Sequence, residues 1–156
     1  MLKLTKKVDY ALIALMHLAQ QGGDGDAASS AREIATGYGL PPDLLAKILQ
    51  KLAREGLVTS QQGTKGGYRL GQPAERIDVV RVIEAVDGPL SITQCISEVG
   101  NCEQFDTCNI KSPLARLNDQ VLRMLGQMTI ARMCEEDLQN LTGGLDEVTL
   151  PVVQHH

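Results

Sequence analysis

Residues 41–70 constrain the fold more than any other part of this chain. Two prolines, Pro41 and Pro42, stand at the head, where the first turn of a helix tolerates a missing amide donor. Leu45, Ile48, Leu49 and Leu52 follow at the three-and-four spacing of one helix face. Gly56 then offers the left-handed conformation that commonly ends a helix. Immediately after it, residues 57–60 and 67–70 read as two short strands around the glycine-rich tip Gln61-Gln62-Gly63-Thr64-Lys65-Gly66. A helix running straight into a tight hairpin admits few architectures.

The flanking sequence narrows them. Thr5 is placed to cap a helix over residues 6–20, with Val8, Ala11, Leu12, Leu15, Leu18 and Ala19 on one face. Residues 21–28, rich in Gly and Asp, read as a loop. Ser29 or Ser30 then opens a short helix that ends at Gly37, with Gly39-Leu40 as the turn into the helix beginning at Pro41. Short helix, turn and longer helix make a helix-turn-helix, and the hairpin after it makes a wing. Further on, residues 78–86 form a helix with Val79, Val82, Ile83 and Val86 apolar, closed by Asp87-Gly88-Pro89. Residues 113–127 carry a long apolar stripe through Leu114, Leu117, Val121, Met124 and Leu125, continued by Met128. Thr129 caps a last short helix through Leu138, and the tail from Thr142 reads as loose. The expected fold is mainly α with a small β-hairpin: a winged helix-turn-helix over residues 1–71, a connecting helix in 72–92, a cysteine-bearing loop in 93–111, a long helix and short final helix in 112–140, and a tail in 141–156.

With three Tyr, one Phe and no Trp, the core must be aliphatic. Net charge is −4, but it is unevenly spread. Residues 1–71 hold nine Lys and Arg against six Asp and Glu, whereas residues 72–156 hold six against thirteen. A basic front and an acidic back suit a protein that presents one face to phosphate. Arg69 and Lys65 add charge to the wing, and its glycines allow close backbone approach to a sugar–phosphate chain. Lys3, Lys6 and Lys7 precede an apolar run, but residues 10–16 are too short for a secretory core or a membrane span, with Asp9 at one end and His17 at the other. The chain is therefore expected to be cytoplasmic, with no membrane partner.

In such a compartment thiols stay reduced, so four Cys suggest metal or redox chemistry before disulfides. Six residues separate Cys95 from Cys102, and five separate Cys102 from Cys108. Zinc sites favour tighter pairs, whereas three thiolates spread along a loop suit an iron–sulfur cluster. Zinc with a fourth ligand from elsewhere, direct oxidant sensing by the thiols, and inert thiols remain open on spacing alone. Cys134, between Met133 and Glu135 in the last helix, reads as a small packing residue. No substrate-binding glycine motif or catalytic grouping of His and carboxylates argues for an enzyme.

Three stretches, LTKKVDYALIAL, LPPDLLAKILQKLAREGLVTSQQGTKGGYRL and VVRVIEAVDGP, together with the three-Cys loop, resemble the IscR/NsrR-type regulators. These are bacterial winged-helix proteins that carry iron–sulfur clusters. The resemblance is collinear over roughly residues 1–140 and is strongest to regulators of iron–sulfur cluster assembly operons, although nitric-oxide sensors share much of it. It implies a homodimer joined along the long helix, bound to pseudo-palindromic double-stranded operator DNA. Pro42, Asp43 and Lys47 at the start of the recognition helix would lie nearest the bases. Gln61, Lys65, Gly66, Gly67, Tyr68 and Arg69 of the wing would follow a minor groove, and Lys3, Lys6 and Lys7 would meet phosphate. The resemblance implies a [2Fe–2S] or [4Fe–4S] cluster on Cys95, Cys102 and Cys108. Many IscR-like members place a histidine three residues after the last cysteine; here that residue is Lys111, a poor iron ligand. In the NsrR-like branch an aspartate in the partner's first helix reaches the cluster, and Asp9 holds the matching place. Its alternative is a first-turn carboxylate favouring the helix dipole; His17, Glu98, Glu103, Asp106 and Cys134 are further candidates. The functional expectation is a cluster-dependent regulator, a repressor, of cluster biogenesis genes. The alternatives are a nitric-oxide or redox sensor of the same family and a clusterless thiol or zinc sensor.

Overall fold

The computed structural model describes residues 4–22, 27–64, 66–92, 103–104 and 106–142, with side chains described as far as Gln139. Helix α1 spans Lys6–Gln21, α2 Ala31–Tyr38 and α3 Pro42–Arg54. The antiparallel strands β1, Val58–Gln61, and β2, Gly67–Leu70, form the hairpin. A single 3-10 turn at Ala74–Arg76 leads into α4, Val79–Asp87; α5 is Lys111–Gly126 and α6 Ile130–Thr142. The mainly helical winged architecture expected from the sequence is present.

Local chemistry sets the helix starts. Thr5 Oγ1 accepts the Val8 amide at 3.4 Å and donates to Asp87 Oδ2 at 2.6 Å, tying the start of α1 to the end of α4. Ser30, not Ser29, caps α2: its hydroxyl accepts the Glu33 amide while the Glu33 carboxylate accepts the Ser30 amide. Helix α2 runs past Gly37 to Tyr38, because the left-handed residue is Gly39, with φ 65°. Pro41 is the N-cap of α3 and Pro42 its first residue, one later than the sequence suggests. The Asp78 carboxylate accepts the Arg81 amide at 3.0 Å to start α4. Two boundaries move further: α5 begins at Lys111, placing Pro113 inside its first turn, and α6 extends beyond Leu138 to Thr142. The tail beyond residue 142 lies outside the described residues.

The core is built around α1, against which α3, α4 and α6 pack. Val8, Ala11, Ala14, Leu15 and Leu18 of α1 meet Leu45, Ile48, Leu49 and Leu52 of α3 and Val82, Ile83 and Val86 of α4, all buried. Removing one such leucine costs about 2–5 kcal/mol, from lost apolar contact and the cavity left behind. Ile77 and Ile130 are fully buried as well. Paired backbone groups hold their segments side by side: Ile130 N–H donates to Ile77 O at 2.8 Å, and Val79 N–H to Met128 O at 3.0 Å. Ala19, expected inside, is only half-buried.

No residue of the long apolar stripe is fully buried. Within the single chain α5 buries one residue, Asn118, whose Oδ1 accepts the Ile92 amide at 3.1 Å. Leu117 and Met124 stand exposed at 47% and 64%, as does Ile110 just before the helix. Periodicity located this face correctly but says nothing of whether the same chain covers it.

Candidate nucleic-acid interface and thiol segment

The start of α3 stands clear of the core. Pro42, Asp43 and Lys47 are exposed, while Leu45, Ile48 and Leu49 on the opposite face hold the helix down. Asp43 in the first turn and Lys51 and Arg54 in the last complement the helix dipole. Lys51 also donates to Val86 O at 2.9 Å, fixing the far end of α3 to α4.

The wing pairs Val58 with Leu70, Thr59 with Arg69, Ser60 with Tyr68 and Gln61 with Gly67. Alternation turns Val58 inward and leaves Thr59 and Arg69 exposed. Beyond the hairpin, Ser29 adds a one-residue bridge to β2, its amide donating to Tyr68 O at 3.0 Å and its carbonyl accepting the Tyr68 amide at 2.8 Å. That bridge explains Gly67: a Cβ there would lie 2.6 Å from the Ser29 carbonyl carbon. At Gly66 a Cβ would lie 2.8 Å from Gln61 O. Both glycines thus have an intramolecular reason for lacking a side chain, in addition to any approach to DNA. Lys65 and Lys3 lie outside the described residues. Lys6 and Lys7 are exposed at the start of α1, and Lys6 Nζ sits 3.6 Å from Asp9 Oδ2.

Sequence reasoning did not find the cluster beneath the wing. His17, weighed there only as a distant ligand candidate, has both ring nitrogens engaged: Nδ1 with Tyr38 Oη at 3.1 Å, Nε2 with Ser29 Oγ at 3.2 Å. Ser29 Oγ donates in turn to Gln21 Oε1 at 2.8 Å. The Tyr38 ring meets the imidazole edge-to-face, with centroids 5.5 Å apart. Burial lowers the His17 pKa, and the Glu33 carboxylate partly offsets this. Local sequence carries no sign of it, because the partners come from α1, α2 and the bridging residue between them.

Of the thiol segment, Cys95 and Cys102 lie outside the described residues. Cys108 is half-buried, just ahead of α5. Asp9 occupies the first turn of α1 beside Lys6. Cys134 packs against the core with its thiol 3.8 Å from Met16 O, and burial pushes its pKa up, aided by Asp137 and Glu135. Among the described residues, no grouping of three or more His, Cys, Asp or Glu is placed to hold a metal ion. Nor is any described helix long and apolar enough to cross a membrane.

The sequence pattern of the Rrf2 family, described as an iron-dependent transcriptional regulator, matches residues 4–136. Protein aau3 of Rhizobium meliloti strain 1021 is 33% identical over 153 residues, spanning 96% of this chain and 97% of that protein. Among solved structures, CymR (YrzC), the global cysteine regulator of B. subtilis, superposes with a TM-score of 0.70 at 27% identity, covering 87% of this chain and 98% of its own. T. potens IscR does so with 0.65 at 27% identity, covering 87% and 88%.

Proposed function

Because the chain belongs to the Rrf2 family of transcriptional regulators, we propose that it grips double-stranded operator DNA as a cytoplasmic homodimer, with thiol chemistry in residues 93–111 setting the strength of that grip. A winged-helix DNA-binding regulator, it is not an enzyme. The observation that carries the DNA reading is the joint exposure of the α3 start and the wing on the basic half of the chain. In this reading Pro42, Asp43 and Lys47 face base edges in a major groove, as N-terminal residues of recognition helices do. Gln61, Lys65, Gly66, Gly67, Tyr68 and Arg69 follow the neighbouring minor groove, and Lys3, Lys6 and Lys7 neutralise phosphate. The exposed face of α5 pairs with its copy and sets the distance between the two winged heads.

Two chemistries fit the thiol segment. In one, the thiols act without a resident metal and are themselves open to oxidation. Oxidation then joins two of them as a disulfide, with two electrons and two protons passing to an oxidant. The three-cysteine spacing and the iron dependence in the family's description favour a cluster on Cys95, Cys102 and Cys108, and the resemblance to the NsrR-like branch offers Asp9 of a second copy as the fourth ligand. Three thiols and a carboxylate are a donor set that iron accepts, and Cys108 is not sealed in the core. A bound cluster supplies a centre that reacts with, or is lost to, oxidants and nitric oxide. In either case the chain transmits the change the same way. Cys108 leads directly into α5, and Asn118 of α5 holds the backbone at Ile92, where the segment begins.

Anaerobic purification of the full chain separates the two. The metal-free reading expects colourless, iron-free protein whose operator affinity responds to thiol oxidation. The cluster reading expects visible absorbance that Cys102→Ala abolishes. Iron-free protein indifferent to oxidation contradicts both.

A further inference from the structure

We infer that His17 is a positioning residue for DNA binding, coupling the turn before the recognition helix to the wing through a one-way chain of hydrogen bonds. The inference rests on the DNA-binding reading above and deepens it. Gln21 Oε1 only accepts, so Ser29 Oγ must donate to it. Ser29 Oγ therefore accepts from His17 Nε2–H. Neutral imidazole with its proton on Nε2 leaves Nδ1 as an acceptor, and Tyr38 O–H donates to it. With the imidazole neutral, every step is fixed by the one before it. The chain runs from Tyr38 through His17 and Ser29 to Gln21.

Two of its members, Tyr38 and Ser29, adjoin the elements that the DNA-binding reading places on the duplex. Tyr38 is the last residue of α2, followed only by Gly39, Leu40 and Pro41 before α3. Ser29 is 4% exposed and pairs both backbone groups with Tyr68, next to Arg69 on the wing. His17 and Gln21 anchor the chain on α1, the centre of the core. The wing is held as well by buried Val58 and by packing of β1 on α3 and β2 on α1, and the His17 chain adds a polar link to these apolar ones. Glu33 of α2 is the charged group acting on the imidazole through space, and Tyr38 is its titratable hydrogen-bond partner.

The test is a double-mutant cycle on affinity for a duplex that the full chain itself selects from a randomised pool. His17→Leu and Arg69→Ala should each weaken binding by ~3–10-fold, and the double variant should bind no more weakly than the worse single one, because a misplaced wing has already lost its Arg69 contact. A purely structural role for His17 leaves the two losses multiplying, and that result overturns the inference. So does His17→Leu binding like the parent. Tyr38→Phe, which removes only a hydroxyl from an exposed ring, carries the same cycle if His17→Leu folds poorly. Failure of the parent to select any duplex would instead overturn the DNA-binding reading, and the inference with it.

Discussion

The imidazole of His17 sits below its usual pKa of 6.5 because burial disfavours the cation more than Glu33 favours it. As pH falls below 6.5, the unfolded chain takes up a proton that the folded chain resists, so acid favours unfolding. Glu33 acts in the same direction at lower pH. Hydrogen bonds from Ser30 hold its carboxyl below 4.5, so its contribution is present above 4.5 and lost as pH drops through the lower folded value. Denaturant midpoints measured from pH 7.5 down to pH 5 should therefore decline, and His17→Leu should flatten the part of the decline between 6.5 and 5. An undiminished slope in that variant contradicts the assignment. Cys134 packs against the core from α6. Its raised pKa keeps it a neutral thiol, which suits packing and not redox chemistry.

For α5, exposure of Leu117 and Met124 beside a half-buried stripe of Leu114, Val121 and Leu125 leaves an apolar face that the described residues do not cover. Leu117→Glu with Met124→Glu should convert a dimer to a folded monomer, read by sedimentation with helical circular dichroism retained; an intact dimer would rule out this face as the joint. Elements whose boundaries depend on adjacent residues were readable from sequence. Thr5, Pro42, Gly56 and Asp78 mark their helices to within a residue, because capping involves only the next turn. The end of α2 was misread, since Gly37 and Gly39 both offer themselves and only backbone geometry chooses between them. The 3-10 turn, the burial of Ile77 and the Ser29–Tyr68 bridge escaped notice because long-range pairing leaves no local periodicity. Asn118 is buried within an otherwise apolar pattern because a backbone amide some distance away in sequence requires its oxygen.

Taken as a whole, the molecule carries a basic excess in its winged-helix half and an acidic excess in the half that holds the thiol segment and α5. Core packing of α4 and α6 on α1 ties these halves together, so a change at Cys108 need not cross a flexible linker to reach the winged heads. The candidate ligand set was recognisable as three spaced cysteines, but which chemistry they perform depends on their surroundings, which spacing does not encode. The most direct measurement is operator affinity of the parent and of Cys108→Ser, each with the thiol segment reduced or iron-loaded and then oxidised or stripped of iron. The parent should change affinity by about 5–150-fold between states, the usual span of allosteric coupling, while Cys108→Ser should stay fixed near one of them. A parent that does not respond, or a variant that responds as fully as the parent, contradicts the account.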